Sequence, residues 1–418
     1  MGTMQYDVIV IGGGASGIFA AIHSAMRGRR TLILEKNQTL GKKLSITGGG
    51  RCNITNAEYD IHTLLAHYGD AQPYLYGLFS QFGVQNTFDY FTQRGLGLVV
   101  ENNKRAFPHT FSAPSVVKLL VNELNTLNVE MACDTEVIHI QTSDSTIIGV
   151  QTKNGVYSAM SYIIATGGAS HAETGATGDG FRFLTQIGHS VATPTPSIVP
   201  LAVSDKWVQA LSGQSLDTMK ITFYLDGKKA FSKTGSLLFT HFGISGPCIL
   251  NSASKVADLL RSGTVVAKIN SYPEYGSDRL DMYLIDLFDQ NKNKLLQSIM
   301  REIYRFGDND FFMSILAIAG IDNNILETRV HSITKSNRKK LVSILQSLPI
   351  TITGLMGMDR AVVADGGVSL EEIDMKTMRS KLYNNLFITG DLLDINRPSG
   401  GYSLQICWTT GFVAGINA

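Results

Sequence analysis

Three glycines near the start of the chain have the spacing of a dinucleotide-binding turn. Gly12, Gly14 and Gly17 follow the short apolar run 7–11 and precede residues 18–27, whose apolar positions recur at helical intervals. Such a strand-to-helix turn lets the backbone approach a pyrophosphate, and the free N–H groups at the helix start receive its charge. We therefore count these glycines as candidate contacts, together with Ala15 and Ser16.

A carboxylate stands where a βαβ dinucleotide unit needs one. Residues 31–34 are predicted to form a second strand that ends at Glu35, about 20 residues beyond the first glycine, where the acid can accept hydrogen bonds from an adenosine ribose. A lone G-x-G-x-x-G would be weak, because glycines also interrupt ordinary turns. The register of strand, helix, second strand and acid predicts a Rossmann-like α/β fold.

A second glycine-rich segment distinguishes between the possible dinucleotides. Residues 47–53, TGGGRCN, lie just past Glu35, where a domain that binds only a nicotinamide cofactor has an ordinary loop and helix. A basic, glycine-rich segment suits a longer cofactor, so FAD is favoured. The candidate contacts are Lys36, Lys43, Thr47, Gly48, Gly49, Gly50, Arg51, Cys52 and Asn53.

The run 40–56, LGKKLSITGGGRCNITN, closely resembles the signature of the YhiN/BaiN-type family of FAD-dependent oxidoreductases. These are flavoproteins distantly similar to fumarate reductase flavoprotein subunits. Later motifs return in the family's order, among them Phe107-Pro108 and FTHFGISGP at 239–247. The resemblance implies an FAD-binding domain of the glutathione reductase/fumarate reductase type, interrupted by an inserted β-barrel-like and helical domain.

The resemblance also implies further cofactor contacts along the chain. The backbone at Val137 is expected to pass the adenine, and the turn after the apolar strand that starts at Tyr162 is expected to cross under the pyrophosphate. A late Gly-Asp pair is expected to bind the ribityl hydroxyls, and a glycine-led helix to face the pyrimidine side of the flavin. The residues concerned are Thr166, Gly167, Gly168, Gly390, Asp391, Gly400, Gly401, Tyr402 and Ser403.

Three residues are candidates for catalysis. His241 and Ser245 belong to a T-H-x-G-x-S-G-P motif of the family, and His241 could donate a proton near neutral pH. A structural histidine bonded to backbone is the alternative. Cys52 could donate a proton near the flavin, or it could be a small buried residue required by packing. Arg51 is expected on flavin or phosphate, with an ion pair as the alternative.

The length of the chain and the change in its residue pattern divide it into three parts. Its 418 residues exceed what one hydrophobic core usually holds. Residues 1–190 and 346–418 are expected to form the FAD-binding domain, and 191–345 an inserted substrate or lid domain. The Pro-rich stretch 193–196 suits a linker, because proline resists both helix and central strand.

Composition limits which cellular compartment and which kind of cysteine chemistry are expected. The four cysteines are far apart and include no C-x-x-C, which suggests neither a disulfide framework nor a zinc site and fits a reducing cytosol. The apolar run near the N-terminus is too short for a signal peptide or a membrane span, so a cytoplasmic protein is expected. Net charge is +1, but residues 191–345 carry 18 Lys+Arg and 14 Asp+Glu, hence 18 − 14 = +4.

The reductant and the substrate stay open at this level. No second G-x-G-x-x-G domain for NADPH is visible, so either NADPH or NADH docks transiently at the flavin or the reductant is something else; the resemblance favours NAD(P)H. It also associates the family with uridine reduction in large-subunit ribosomal RNA, with reduction of 3-oxo bile acids, and with oxidation of aminoacetone-like amines. Ribosomal RNA is favoured, since the positive excess includes Lys335, Arg338, Lys339 and Lys340. A non-catalytic flavin sensor is a further alternative.

Overall fold

The structure is a computed structural model that describes residues 6–304, 309–357, 361 and 363–418. The chain forms two compact units. The second is Ser197–Gly357, and the residues on either side of it form the first. These limits differ at both ends from the predicted insertion 191–345, for reasons of strand pairing given below.

The strands are numbered in chain order. They are β1 Tyr6–Ile11, β2 Thr31–Leu34, β3 Thr55–Asn56, β4 Leu98–Glu101, β5 Arg105–Pro108, β6 Glu130–Ala132, β7 Val137–Ser143, β8 Thr146–Thr152, β9 Gly155–Tyr157, β10 Ala159–Ile164, β11 Val191–Ile198, β12 Leu201–Val203, β13 Ser215–Leu225, β14 Lys228–Thr240, β15 Gly243–Ser245, β16 Val265–Asn270, β17 Leu348–Leu355, β18 Val363–Val368, β19 Ile373–Asp374, β20 Arg379–Ser380 and β21 Leu386–Ile388.

The α-helices follow the same convention. They are α1 Ala15–Ala25, α2 Ile61–Leu65, α3 Gln72–Gln81, α4 Val84–Gln93, α5 Ala113–Thr126, α6 Asp179–Gln186, α7 Lys206–Ala210, α8 Pro247–Leu250, α9 Ala253–Ser262, α10 Ser277–Gln290, α11 Leu296–Tyr304, α12 Asn309–Ile318, α13 Lys335–Gln346 and α14 Tyr402–Asn417. No helix in the described ranges is long and apolar enough to cross a membrane.

A seven-stranded sheet forms the centre of the first unit, in the order β19-β20-β21-β10-β1-β2-β6. The strands from β21 to β6 pair in parallel. β2 and most of β1 are buried, as expected for apolar runs covered on both faces. The carboxyl ends of β21, β10 and β1 therefore lie side by side, which is where ligands bind in open α/β sheets. This confirms the predicted Rossmann-like fold.

Helix α14 packs directly on α1. A Cβ on Gly411 would lie 2.6 Å from the Ser16 carbonyl oxygen, and one on Gly415 would lie 2.4 Å from that of Ala20. Both pairs ascend along the chain, so the helices run in the same direction. Nine residues of α14 precede Gly411, which extends its amino end about 13 Å beyond the level of Ser16.

The Pro-rich stretch is a strand rather than a linker, so this prediction was wrong. Pro194 and Pro196 lie inside β11, which pairs with β18 in a two-stranded sheet of the first unit. Proline is tolerated there because such a short sheet leaves N–H positions that need no partner strand. The pairing also explains why the first unit extends beyond residue 190.

The second unit contains a closed six-stranded barrel in the order β12-β15-β14-β13-β16-β17, together with α10 to α13. The predicted barrel-like and helical domain is thus confirmed as a fold. β17 pairs with β12 and β16 and completes the barrel, so the unit runs past residue 345. On β13 the fully buried Ile221 and Phe223 alternate with partly or fully exposed residues.

His23 is a buried titratable group in the first unit. Its ring packs 4.5 Å from that of Phe19 and 4.8 Å from that of Phe412, between centroids, and its Nδ1 donates to the Phe19 carbonyl oxygen at 2.8 Å. Burial lowers the pKa of His23 to about 4. The folded protein therefore keeps this imidazole neutral at pH values where the unfolded chain protonates it.

We expect His23 to make the first unit sensitive to acid. Between about pH 6.5 and pH 4 the unfolded chain binds one more proton here, so the free energy of unfolding falls with falling pH, by up to about 3 kcal/mol. His23→Asn should flatten this dependence in denaturant unfolding at several pH values, whereas His62→Asn, at an exposed position, should not. An unchanged pH dependence in His23→Asn would contradict the assignment.

Candidate functional site

The glycine turn after β1 is built by close backbone contacts. Gly12 has a φ of +103°, and a Cβ there would lie 2.5 Å from the Ala165 carbonyl oxygen. A Cβ on Gly17 would lie 1.9 Å from the Gly12 carbonyl oxygen. Gly14 differs, because a Cβ there would meet no atom of the described residues within 4 Å. The open side of Gly14 lies at the start of α1, where Ala15 and Ser16 form the first turn.

Glu35 ties the turn to the end of β2. Its Oε2 accepts from the Gly13 N–H at 2.7 Å, and its Oε1 accepts from the backbone N–H of Asn37 at 2.8 Å. A cavity of about 400 Å³ opens beside it, lined by residues including Lys36, Thr135 and Glu136. Val137 is buried at the start of β7, next to this wall.

Lys36, predicted as a cofactor contact, is engaged by protein groups. Its Nζ lies 2.6 Å from Asp179 Oδ2 and donates to Thr177 Oγ1 at 2.6 Å. A direct bond between Lys36 and FAD stays a prediction, whereas its contribution to the cavity wall follows from its position.

The turn after β10 is the second place where the chain crosses the carboxyl edge of the sheet; the glycine turn after β1 is the first. Thr166 has a buried hydroxyl with no hydrogen-bond partner among the described residues. Gly167 has a φ of +74°, and a Cβ on Gly168 would lie 3.3 Å from the Asp391 carbonyl oxygen. Because Gly12 packs on Ala165 and Thr166, this crossing touches the first glycine turn on one side and Asp391 on the other.

The third crossing follows β21 and carries a charged cluster. A Cβ on Gly390 would lie 2.6 Å from Ser16 Oγ, so this glycine packs on the start of α1. Asp391 forms an ion pair with the buried Arg397 and lies 3.7 Å from Lys43 Nζ through its Oδ2. Burial by itself would raise the pKa of Asp391, but the charges of Arg397 and Lys43 hold it below its usual range. Asp391 is therefore a carboxylate at neutral pH.

The segment 47–53 is a tight glycine loop. Gly48, Gly49 and Gly50 have φ values of +59°, +67° and +84°, a left-handed run that side chains disfavour. A Cβ on Gly49 or Gly50 would meet nothing within 4 Å among the described residues, so the loop presents bare backbone. Thr47 holds its start by donating to the Leu44 carbonyl oxygen at 2.7 Å.

Arg51 and Cys52 have local partners in this loop. The Arg51 guanidinium pairs with Glu101 and lies 4.1 Å from the centre of the Phe107 ring. This arrangement favours the ion-pair alternative for Arg51. Cys52 is fully buried, and burial raises the pKa of its thiol to about 12, which favours packing over proton donation.

The amino end of α14 is joined to this loop. Gly401 caps the helix with a φ of +101°, and a Cβ there would lie 2.2 Å from the Thr55 carbonyl carbon. The Asn53 amide, in the orientation that satisfies its neighbours, accepts from the Gly401 N–H at 2.9 Å. Ser403 Oγ accepts from Arg397 Nε at 3.3 Å, and the Tyr402 carbonyl oxygen accepts from the Tyr68 hydroxyl. Gly400 adjoins this end.

The three crossings after β1, β10 and β21, together with the glycine loop 47–53, fit FAD. Gly14, Gly49 and Gly50 leave room where a side chain would stand, and the buried Thr166 hydroxyl lacks a partner among the described residues. Asp391 is a fixed carboxylate suited to accept hydrogen bonds from ribityl hydroxyls. An anion at the start of α1 is stabilised by free N–H groups and the helix dipole.

His241 and Ser245 lie in the second unit. His241 is exposed at the turn between β14 and β15, and its ring contacts Phe242 at 4.8 Å between centroids. Ser245 ends β15 opposite Leu238 of β14. Roles for these two residues in catalysis stay predictions.

The model of the HI0933-like protein Rossmann domain matches residues 6–417. The chain belongs to this family. It is similar to the 3-dehydro-bile acid delta(4,6)-reductase of Clostridium scindens, with 27% identity over 97% of each chain. It is also similar to the ribosomal RNA dihydrouridine synthase of Haemophilus influenzae, with 28% identity over 99% of this chain and 98% of the relative. These matches confirm the predicted membership of the YhiN/BaiN-type family and the prediction of an FAD-dependent oxidoreductase.

Among solved structures, a flavocytochrome c3 fumarate reductase in its open conformation is similar to this chain, with a TM-score of 0.50 at 14% identity. The match covers 99% of this chain and 78% of the other. At this identity the likeness shows the fold alone, and it is the fold that was predicted.

Sequence analysis missed Arg397. The residue lies between the Gly-Asp pair and the helix start, and its side chain is almost fully buried against Asp391, Ile395 and Ser403. The sequence did contain a usable signal. Arg397 follows the predicted ligand Asp391 by six positions and is followed by a proline and a glycine pair, so the chain can fold back and bring the two charges together.

Two glycine substitutions should separate cofactor binding from folding. Gly14→Val places its Cβ where no described atom lies within 4 Å, so the apoprotein should unfold at a nearly unchanged temperature, while FAD affinity falls about tenfold or more as the pyrophosphate loses contacts worth about 1.4 kcal/mol. Gly17→Ala collides with backbone and should cost the apoprotein about 1–3 kcal/mol. FAD titration of the apoproteins by flavin fluorescence, with thermal unfolding, measures both. Wild-type affinity in Gly14→Val would contradict the site.

Proposed function

We propose that this protein is an NAD(P)H-driven, FAD-dependent reductase of a C=C bond conjugated with a carbonyl group, and that its substrate is a uridine in 23S ribosomal RNA, which becomes dihydrouridine. The convergence of three glycine-rich crossings with the ionised Asp391 carries the flavin part of the proposal. The reaction class is supported by the names of the two full-length relatives, and the substrate by surface charge.

The names of the two full-length relatives support the reaction class. Dihydrouridine is uridine with its C5=C6 bond reduced, and that bond is conjugated with the C4 carbonyl group. A delta(4,6)-reductase of a 3-dehydro compound likewise acts on double bonds conjugated with a carbonyl. Reduction of such a bond adds a hydride to an electron-poor carbon of the conjugated system, the β-carbon in uridine, and a proton to a carbon that carries the resulting negative charge.

The chain's own groups have distinct tasks in this proposal. Bound FAD supplies hydride transfer. Asp391, fixed by Arg397 and Lys43, holds the ribityl hydroxyls, and the amino end of α14 stabilises negative charge on the pyrimidine side of the ring system. His241 delivers the proton through an imidazole N–H; this role rests on the family motif. Cys52 is the weaker donor, because its buried thiol has a pKa of about 12.

Charge favours RNA over a small apolar substrate. The second unit retains the positive excess of the insertion, and Lys220, Lys229 and Lys268 on its barrel form no ion pair with any described residue. The small-molecule alternatives are an enone reductase and an aminoacetone-type oxidase, and the latter would consume oxygen and release peroxide without RNA.

The substrate is tested by mass spectrometry of ribosomal RNA from cells with and without the gene. We expect one dihydrouridine in 23S ribosomal RNA to disappear on deletion and to return when the wild-type gene, but not its Gly14→Val variant, is restored. Identical RNA from both strains would reject RNA as the substrate and leave the small-molecule reductase.

A substitution at His241 tests the proton donor. His241→Gln should lower the rate of substrate reduction by about 100-fold or more, the usual contribution of a general acid. Anaerobic bleaching of the flavin by NADPH should keep its wild-type rate, since that step needs no proton from the donor. Ser245→Ala and Cys52→Ala are the comparison variants. Loss of activity in Cys52→Ala with full activity in His241→Gln would transfer the role to the thiol.

A further inference from the structure

One outer face of the barrel is rich in lysine. On β13, Lys220, Thr222 and Tyr224 alternate with the buried Ile221 and Phe223 and therefore point away from the barrel interior. Their partners on the neighbouring strands share this side: Thr234, Ser232 and Lys229 on β14, and Asn270, Lys268 and Val266 on β16. We call these nine positions the lysine face.

The lysine face contains three cations and no carboxylate. The Nζ of Lys268 lies 4.7 Å from the centre of the Tyr224 ring, which holds the ammonium group over the aromatic surface. Thr222 and Ser232 share a hydrogen bond of 3.0 Å between their hydroxyls at its centre. Lys220, Lys229 and Lys268 form no ion pair within the described part of the chain. Asp217, an exposed residue of the same strand, lies in the register shift between Leu216 and Met219, outside these nine positions.

Two basic residues of the helical part of the second unit have partners within it. Arg338 donates to both carboxylate oxygens of Asp281, at 2.7 and 3.1 Å, and Lys340 donates to the Gly320 carbonyl oxygen at 2.6 Å. Two residues of the basic run at 335–340 thus stabilise the helical part. The lysine face is distinguished by three cations grouped on one side of a sheet, with no carboxylate at its nine positions.

We propose that the lysine face binds the phosphate backbone of the RNA substrate. Three unpaired ammonium groups on a rigid sheet, with hydroxyls between them, match a polyanion whose charges repeat along a chain. The occupant to which the face is assigned is RNA, and anionic lipid is an outcome that the experiment excludes. The assignment deepens the proposed function and rests on its choice of RNA.

The experiment compares two triple variants of the FAD-loaded protein with equal charge loss. One is Lys220→Gln/Lys229→Gln/Lys268→Gln. The control is Lys294→Gln/Lys335→Gln/Lys339→Gln, at exposed positions on or near the helices. Binding of an unmodified 23S ribosomal RNA transcript is measured by filter retention between 50 and 200 mM KCl. Each lost phosphate contact should reduce the slope of log K against log salt by about 0.7 to 0.9, so the face variant should lose about 2 to 3 and the control nothing.

Flavin content and thermal unfolding check that both variants are intact. A wild-type slope in the face variant, or an equal loss in the control, would overturn the lysine face as the RNA site. So would a face variant that lost binding to phosphatidylserine vesicles but kept it to RNA. Failure of the proposed function gives a different result. If the face variant has a reduced slope of log K against log salt but the wild type forms no dihydrouridine, the face binds RNA and the proposed reaction is wrong. If dihydrouridine forms with an unchanged slope, the reaction stands and the face does not.

Discussion

Glycine backbone must pass close to a neighbouring segment at three places in the first unit, and the rest of the candidate site depends on this constraint. Gly12 lies against the backbone of Ala165, Gly390 against the side chain of Ser16, and Gly401 against the backbone of Thr55. At Gly12 and Gly401 the distances leave no room for a Cβ. The parallel order of β21, β10 and β1 brings the first two contacts to one edge of the sheet. The packing of α14 along α1 then sets the position of the third contact, at the amino end of α14.

Electrostatics act within the frame that these contacts establish. Asp391 is enclosed, and a buried carboxylate is stable only when opposite charge compensates for its lost hydration. Arg397 and Lys43 provide that charge from two different segments. Because Arg397 also bonds Ser403 and Ile395, the carboxylate, the loop after it and the start of α14 form one connected unit. Removing Arg397 would leave Lys43, 3.7 Å from Asp391 Oδ2, to compensate the carboxylate and would also release its bonds to Ser403 and Ile395.

The fold and most of the dinucleotide turn could be predicted from the sequence because they depend on local rules. Apolar runs, glycine spacing and Glu35 each have a meaning within a few residues of chain. Arg397 was missed because its partner is determined by how the loop folds back. The limits of the second unit differ from those of the predicted insertion because the strand pairing of β11 with β18 and of β17 with β16 is a long-range property. Arg51 was expected on flavin or phosphate, with an ion pair as the alternative; Glu101, fifty residues later, supplies an ion pair, and a contact with the cofactor stays a prediction.

The position of the bound flavin is the most direct test of the candidate site. A crystal structure of the FAD-loaded protein should show the pyrophosphate against the open side of Gly14, the adenosine in the cavity beside Glu35 and the ribityl chain at Asp391. A flavin bound away from these residues, or one whose pyrophosphate did not contact the start of α1, would contradict the account.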